Sequence, residues 1–253
     1  MKKKIVAVLI FLMIITNTYA GWYECFSYKG KIDKYPISLS FQIKDGYFGE
    51  KKKKDLNLIG VYKYDNYNNP IRLEGTIDFK KNKVLLYEIS NGKYTATFEF
   101  EFSKEKCEGV WTNLSTNKKL PLELTNSSIL IDQIEENKFC NIEILQAASL
   151  AEFYFVGVYS KKENHDKAQM DRLKIISKKD NTVFQVIDFS KIETLTGNVI
   201  TIIFDNVEVF DPKKKEFIVW NDVGRMGGYL TITFNVKTNK FKLDPNPTID
   251  GPN

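Results

Sequence analysis

Histidine is almost absent from this chain of 253 residues: the single one, His165, lies in the charged stretch 161–169. Serine and cysteine hydrolases use a histidine as base, and zinc hydrolases usually need several histidine ligands. A solvated histidine in a polar segment is a poor base. The scarcity argues against all three enzyme classes, and we predict no catalytic residue, no cofactor and no metal ligand.

Cysteine is also scarce, with only Cys25, Cys107 and Cys140 beyond the first twenty residues. Their spacing is too wide for the CxxC motif of redox and zinc sites. In an oxidising compartment one disulfide can form, in any of three pairings, and one thiol is left over. Three buried, unpaired thiols are an equal alternative, so the sequence leaves this choice open.

The chain lacks a hydrophobic run long enough to cross a membrane. The apolar run 5–15 has about 11 residues, whereas a spanning helix needs about 20. It follows Lys2, Lys3 and Lys4 and precedes the small residues of Thr18-Tyr19-Ala20. This pattern is typical of a secretory signal peptide over residues 1–20, with Gly21 as the first mature residue. Because a lipid anchor needs cysteine at that position, none is predicted.

The net charge is small once the signal is removed, because 34 basic residues then face 32 acidic ones. A near-neutral chain gives no electrostatic case for binding nucleic acid. The predicted location is periplasmic or secreted, with no membrane insertion after signal cleavage. Short strands, charged outer faces and a polar tail argue against a membrane-embedded barrel.

What the sequence does contain is alternation of apolar and polar residues. Ile37, Leu39, Phe41 and Ile43 alternate with polar neighbours, as the side chains of a half-buried strand do. Turn signals such as Asn91-Gly92 separate the alternating runs. Eight strands are predicted in the first half, at residues 22–30, 36–44, 58–65, 70–78, 83–90, 94–103, 106–112 and 119–125.

This pattern predicts an all-β protein of two domains. The first, residues 21–126, is expected to be an eight-stranded antiparallel up-and-down barrel or sandwich. A linker over 127–145 and a smaller antiparallel β domain over 146–245 follow, with at most one short helix near 146–153. The β runs of the second domain are placed at 153–159, 173–177, 183–189, 199–204, 217–220 and 229–236. The tail 246–253 is predicted to be loose.

Tyr62, Tyr64 and Tyr67 cluster near one hairpin. If exposed, they favour contact with protein or carbohydrate. Alternation into a core, with Tyr62 and Tyr64 on one face, is the preferred interpretation.

Three other segments are less specific. Segment 205–211 is rich in oxygen ligands but lacks the alternating acids of a calcium loop, so a strand end and a turn are predicted. The glycine-rich segment 224–228 fits a contact loop and an ordinary hairpin turn equally well. The lysines at 51–54 are predicted to form a solvated hairpin tip.

A series of short motifs runs through residues 28–125. They are Tyr28-Lys29-Gly30, Tyr35-Pro36-Ile37-Ser38-Leu39, Gly60-Val61-Tyr62-Lys63-Tyr64, Ile71-Arg72-Leu73-Glu74-Gly75, Leu86-Tyr87-Glu88, Gly109-Val110-Trp111 and Leu120-Pro121-Leu122. In this order they resemble a family of uncharacterised exported bacterial β domains. The resemblance implies a β domain and no particular activity.

In the second half, segment 205–211 is followed by Phe217-Ile218-Val219-Trp220. This arrangement is similar to that of a group of periplasmic bacterial proteins, some of which resemble lysozyme inhibitors. Their hallmark is an acidic Asn-Phe-Asp-Gly loop before a hydrophobic strand, and this chain lacks the Gly and the regular acids. The resemblance implies a protein partner and does not carry a calcium site over.

We therefore expect an exported non-catalytic binding protein of the bacterial envelope. The expected partner is another protein. In the most specific form of this hypothesis, the partner is a lysozyme-like hydrolase and the chain inhibits it. A carboxylate-based glycan hydrolase is the alternative, which predicts a deep cleft with two acids either about 5 or about 6.5–9.5 Å apart. A carrier of a small apolar ligand predicts an unfilled barrel, whereas Phe98, Phe100 and Phe102 indicate a filled one.

Overall fold

The first half of the chain forms a closed eight-stranded antiparallel barrel. The computed structural model describes residues 23–44, 56–132, 138–162, 167–223 and 226–249. The barrel strands are β1 (Glu24–Ile32), β2 (Tyr35–Ile43), β3 (Leu58–Tyr64), β4 (Ile71–Asp78), β5 (Lys83–Ser90), β6 (Lys93–Glu101), β7 (Lys106–Asn113) and β8 (Lys119–Ile131). Each strand pairs with the next, and β8 pairs with β1. The predicted all-β class and the predicted eight strands are confirmed.

Tight hairpins join several of these strands. Asn91 and Gly92 both have positive φ, at 50° and 71°, between the paired residues Ser90 and Lys93. This is the two-residue turn that Asn-Gly favours, because both central positions need positive φ. The predicted hairpin tip at 51–54 lies outside the described residues.

Aromatic side chains fill the interior of the barrel. Phe26 packs edge-on against Phe102 with 5.1 Å between ring centroids, and Phe41 lies 6.2 Å from Phe100. Tyr62 meets Phe98 at 5.0 Å. This packing counts against a carrier that holds a small apolar ligand inside the barrel.

Three glycines, Gly30, Gly75 and Gly109, let the barrel strands approach closely. A Cβ atom on Gly75 would lie 1.9 Å from the Leu85 carbonyl oxygen, and one on Gly109 would lie 2.1 Å from that of Glu99. No side chain fits at such distances. The close approach of neighbouring barrel strands therefore depends on glycine at these three positions.

The second half is built from two antiparallel sheets. One has the order β12-β11-β10-β9, and the other has the order β13-β14-β15-β16 with β17 also paired to β15. Their strands are β9 (Phe139–Ser149), β10 (Phe153–Lys161), β11 (Gln169–Ser177), β12 (Val183–Asp188), β13 (Val207–Asp211), β14 (Glu216–Val223), β15 (Met226–Asn235), β16 (Lys240–Leu243) and β17 (Thr248–Ile249). The sheets pack face to face, with the ring centroids of Phe155 and Phe217 4.5 Å apart.

The structure has no helix at 146–153, the place where the sequence allows one short helix. Residues up to Ser149 belong to β9, and Leu150 donates its backbone N–H to the Phe153 carbonyl in a tight turn, at 2.9 Å. Residues 146–150 are buried or half-buried because they pack within a sheet, which the sequence alone does not reveal, whereas Ala151 and Glu152 are exposed in the turn. Within the described residues the one helical segment is a 3-10 turn, Ile203–Asp205.

Strand occupies much of the range that the sequence predicts as linker and tail. Strand β8 continues to Ile131 because it pairs with β1 as far as Glu24, and β9 begins at Phe139. Near the end of the chain, Thr248 pairs with Tyr229 in β15. The two halves are thus joined by ordered strands on both sides of residues 133–137.

Strand β10 is buried on both of its faces. Phe155 points into the second half, whereas the Tyr154 ring lies under the Lys63 ammonium of β3, with 5.1 Å from Nζ to the ring centroid. One hydrophobic cluster contains residues of both halves, including Val61 and Leu130 of the barrel. The barrel wall and the second half therefore share one core.

The long connection from β12 to β13 lies against the barrel. The Gln42 side chain donates to the Thr201 carbonyl at 2.7 Å and accepts from the Ile203 N–H at 2.9 Å. The Tyr23 hydroxyl donates to the Ile200 carbonyl, also at 2.7 Å. The strand predicted at 199–204 is therefore wrong, because barrel side chains take the backbone partners that a sheet would supply.

Candidate binding surface

The tyrosines noted in the sequence divide between the barrel interior and its end. Tyr62 is fully buried inside the barrel, and Tyr64 follows it on the same face of β3, as the preferred interpretation predicts. Tyr67, in the turn after β3, has 68% of its surface exposed. Only part of the cluster is therefore core.

Tyr35, Tyr64 and Tyr67 form a continuous row at this end of the barrel, which we call the tyrosine rim. Tyr64 packs edge-on against both neighbours, with ring centroids 6.4 Å from Tyr35 and 6.3 Å from Tyr67. Tyr35 has 39% of its surface exposed, and the Lys34 ammonium lies 5.6 Å from its ring centroid. Edge-on packing is a favourable geometry for aromatic pairs and restricts the motion of the rings.

A buried lysine fixes the turn that carries Tyr67. The Lys63 ammonium donates to Asp65 Oδ1 at 2.8 Å and to Asn68 Oδ1 at 2.9 Å. Asn68 has a positive φ of 56° and donates its amide to the Lys178 carbonyl of the second half, at 3.2 Å. Because both ends of the turn are held, Tyr67 is presented on a fixed backbone.

The polar groups beneath the rim are also hydrogen-bonded. The Tyr62 hydroxyl donates to the Glu88 carboxylate, which also accepts from Thr95 Oγ1 at 2.6 Å. Burial raises the pKa of Tyr62, and the nearby charge of Glu88 raises it further. Burial likewise raises the pKa of Tyr64. Both tyrosines therefore stay neutral near neutral pH.

Segment 205–211 is divided between two structural roles. Asp205 lies in the 3-10 turn and pairs with the Arg72 guanidinium of β4 at 2.5 Å. Asp211 accepts from the N–H groups of Lys213 and Lys214 in the turn after β13, which lowers its pKa. Within the described ranges no group of three or more His, Cys, Asp or Glu side chains is placed to hold a metal ion.

The other candidates lie elsewhere. His165 falls outside the described residues, and so do residues 224 and 225 of the glycine-rich loop. Gly227 and Gly228 belong to β15 and pair with Asp222 and Asn221 in a hairpin.

All three cysteines are free: Cys25 and Cys107 are buried, and Cys140 is exposed. Burial raises the pKa of both buried thiols. Neither of the two alternatives left open by the sequence describes this arrangement fully.

Sequence reasoning missed two residues of this surface. Tyr35 is 29 positions from Tyr64, and only the pairing of β2 with β3, with Ile37 opposite Tyr64, brings the rings together. Lys63 is buried although lysine is usually exposed. The alternation along β3 places Lys63 on the outer face, but only the docked second half covers that face.

No protein-family model, curated protein or solved structure matches this chain. The resemblances inferred from its motifs therefore stay predictions. Of the helical segments within the described part of the chain, none is long and apolar enough to cross a bilayer.

Proposed function

We propose that this is an exported, non-catalytic binding protein of the bacterial envelope, and that the tyrosine rim contacts a partner protein. One observation carries the proposal: three tyrosine rings pack in a row, the outer two are exposed, and the turn that carries Tyr67 is held at both ends. Tyrosine is enriched at interfaces because it brings a large contact area at low entropy cost. A pre-organised surface also loses less freedom on binding.

Export is proposed from the signal-like residues 1–20, with a periplasmic or secreted location. The more specific version is inhibition of a lysozyme-like hydrolase, supported by the arrangement of segment 205–211 before Phe217-Ile218-Val219-Trp220. This version has its own test, a muramidase assay with the purified protein. Absence of inhibition would remove the hydrolase and leave the rim as a protein-binding surface.

The experiment that tests the rim is cross-linked capture from a bacterial envelope extract, compared between variants. Tyr67→Ala and Tyr35→Ala should each reduce recovery of the same captured protein by roughly fivefold or more, since central aromatic residues dominate interface energies. Phe79→Ala is the matched control. Phe79 is 58% exposed and lies in the turn after β4, at the opposite end of the barrel. Equal recovery of the captured protein by the unchanged chain and all three variants would refute the proposal.

A further inference from the structure

A groove lies between the barrel and the second half. It has a cavity volume of about 430 Å³ and lies between β4, the connection before β13, and the strands β13 and β14. This volume falls within the usual size of small-molecule sites. We call it the junction groove, and the side chains that matter here are Arg72, Ile200, Thr201, Asp205, Glu208 and Trp220.

The walls of the junction groove are fixed. Gln42 holds the backbone on either side of Ile202, and the Tyr23 hydroxyl holds the Ile200 carbonyl. The Arg72–Asp205 pair joins the barrel to the 3-10 turn. A ligand would therefore enter a site that is already formed.

Donors and acceptors with spare capacity converge on this groove. Arg72 uses one guanidinium nitrogen on Asp205 Oδ1, and 47% of its side chain is exposed. Thr201 and Glu208 make no side-chain hydrogen bond to any residue that the structure describes. The groove thus offers guanidinium N–H groups, a hydroxyl and carboxylate oxygens together.

The apolar part of the groove includes an indole ring. Trp220 is partly exposed and meets Tyr229 edge to face, with an interplanar angle of 81° and 6.1 Å between ring centroids. Among the described residues no aromatic ring stacks parallel to it. Ile200 adds an aliphatic contact on the groove wall.

We propose that the junction groove binds a short neutral or amino saccharide. A sugar ring has an apolar C–H face that can lie on the indole, and hydroxyls that both donate and accept, as these side chains require. One cation and two carboxylates give the groove a net negative charge, which disfavours acidic sugars. This site is independent of the tyrosine rim.

The groove does not hydrolyse the bound saccharide. A glycosidase needs one carboxyl group enclosed so that it stays protonated at neutral pH, paired with a second carboxylate. Asp205 is held by Arg72, and Glu208 is exposed on β13. The groove therefore binds without cleaving.

Binding is tested by calorimetry and by NMR of the Trp220 indole N–H, using the full mature chain. The probes are chitotriose, its de-N-acetylated form and cellotriose, with trigalacturonate as the acidic comparison. We expect saturable binding of at least one of the first three, a shift of the Trp220 signal, and intact sugar afterwards. Trigalacturonate should bind roughly tenfold more weakly, a difference of about 1.4 kcal/mol.

Variants decide whether the groove is the site. Trp220→Ala should weaken binding roughly tenfold or more, whereas Trp220→Tyr keeps an aromatic surface and should retain most of it. Phe210→Ala is the matched control, since Phe210 is an exposed aromatic of β13 outside the groove. Tyr67→Ala should also bind normally. With the fold checked by near-UV circular dichroism, absence of binding by all three sugars, or equal binding by Trp220→Ala, overturns the proposal.

Discussion

The two halves of this protein are both antiparallel β structures, yet they close in different ways. In the barrel, β8 pairs with β1, so backbone hydrogen bonds leave no open edge. In the second half the two sheets keep open edges, and the approach of β12 to β16 is bridged by the Gln185 side chain. Its amide donates to the Phe241 carbonyl and accepts from the Phe241 N–H, each at 2.8 Å.

The difference shows two ways to satisfy an exposed strand edge. A closed barrel needs every strand to curve, so it depends on glycine where neighbouring backbones nearly touch. An open pair of sheets tolerates ordinary side chains but needs polar side chains to cover its seams. Close backbone contacts therefore decide which substitutions the barrel tolerates. In the second half, side-chain hydrogen bonds decide this.

The largest expected effect breaks the barrel. Gly75→Ala places a Cβ 1.9 Å from the Leu85 carbonyl oxygen, so the strands must separate, at a cost of about 3 kcal/mol in the free energy of unfolding. Gly227→Ala in the second half meets only the Val199 side chain, at 3.1 Å, and should cost less than about 1 kcal/mol. Urea unfolding measures both, and similar costs for the two variants would contradict this comparison.

The next largest effect on the free energy of unfolding concerns two glutamines. Each uses its side-chain amide to hydrogen-bond one backbone N–H and one backbone carbonyl. Gln42 is 2% exposed, and its removal leaves the groups of Ile203 and Thr201 buried without a partner. Gln42→Leu should therefore cost about 2 kcal/mol. Gln185→Leu should cost about 1 kcal/mol because its seam lies nearer to solvent. Amide hydrogen exchange at Ile203 should accelerate in the first variant alone.

A smaller effect appears in alkaline solution at the junction between the halves. Burial raises the pKa of Tyr154 from 10.0 to about 12. The folded chain thus holds this proton more tightly than the unfolded chain does. Its contribution to stability is fully present below pH 10 and is lost as the pH rises through 12.

Tyr154→Phe removes this titration, so stability should fall less steeply with pH above 10. The measurement is the urea midpoint of both proteins across the alkaline range, with values near neutral pH as the internal control. Identical slopes would show that Tyr154 does not contribute in this way.

The smallest effect concerns the reactivity of the three thiols. Their modification does not test the stability of the fold directly, but it reports how often the fold opens. Cys140 on β9 is exposed, whereas Cys107 lies inside the barrel and Cys25 in the shared core. A thiol reagent should modify Cys140 at once and the two buried thiols roughly a thousandfold more slowly, because they react only after opening. Mass spectrometry assigns the sites. Rapid modification of Cys107 would mean that the barrel opens more easily than its closed pairing indicates.

The barrel could be predicted from sequence because its signals are local. Each strand has one apolar face, as in Ile37, Leu39 and Phe41, and Asn91-Gly92 specifies its own turn. The second half was harder. The run 199–204 looks like a strand, but its backbone partners are Gln42 and Tyr23, far away in the sequence.

The candidate surfaces were only partly predictable for the same reason. Tyr64 and Tyr67 stood out as neighbours in the sequence, whereas Tyr35 joined them only through strand pairing. Arg72 carries no sequence signal that would place it beside Asp205 and Trp220. Its position depends on how the second half docks against β4.

The core that the barrel wall shares with the second half also bears on the order in which the chain folds. The barrel strands come first in the chain and can pair with one another before the second half has folded. Val61 and Leu130 on the barrel wall belong to that shared core, so they stay uncovered until the second half docks. The barrel alone therefore exposes apolar surface, and we expect chaperones that bind partly folded chains to act on it before the second half docks.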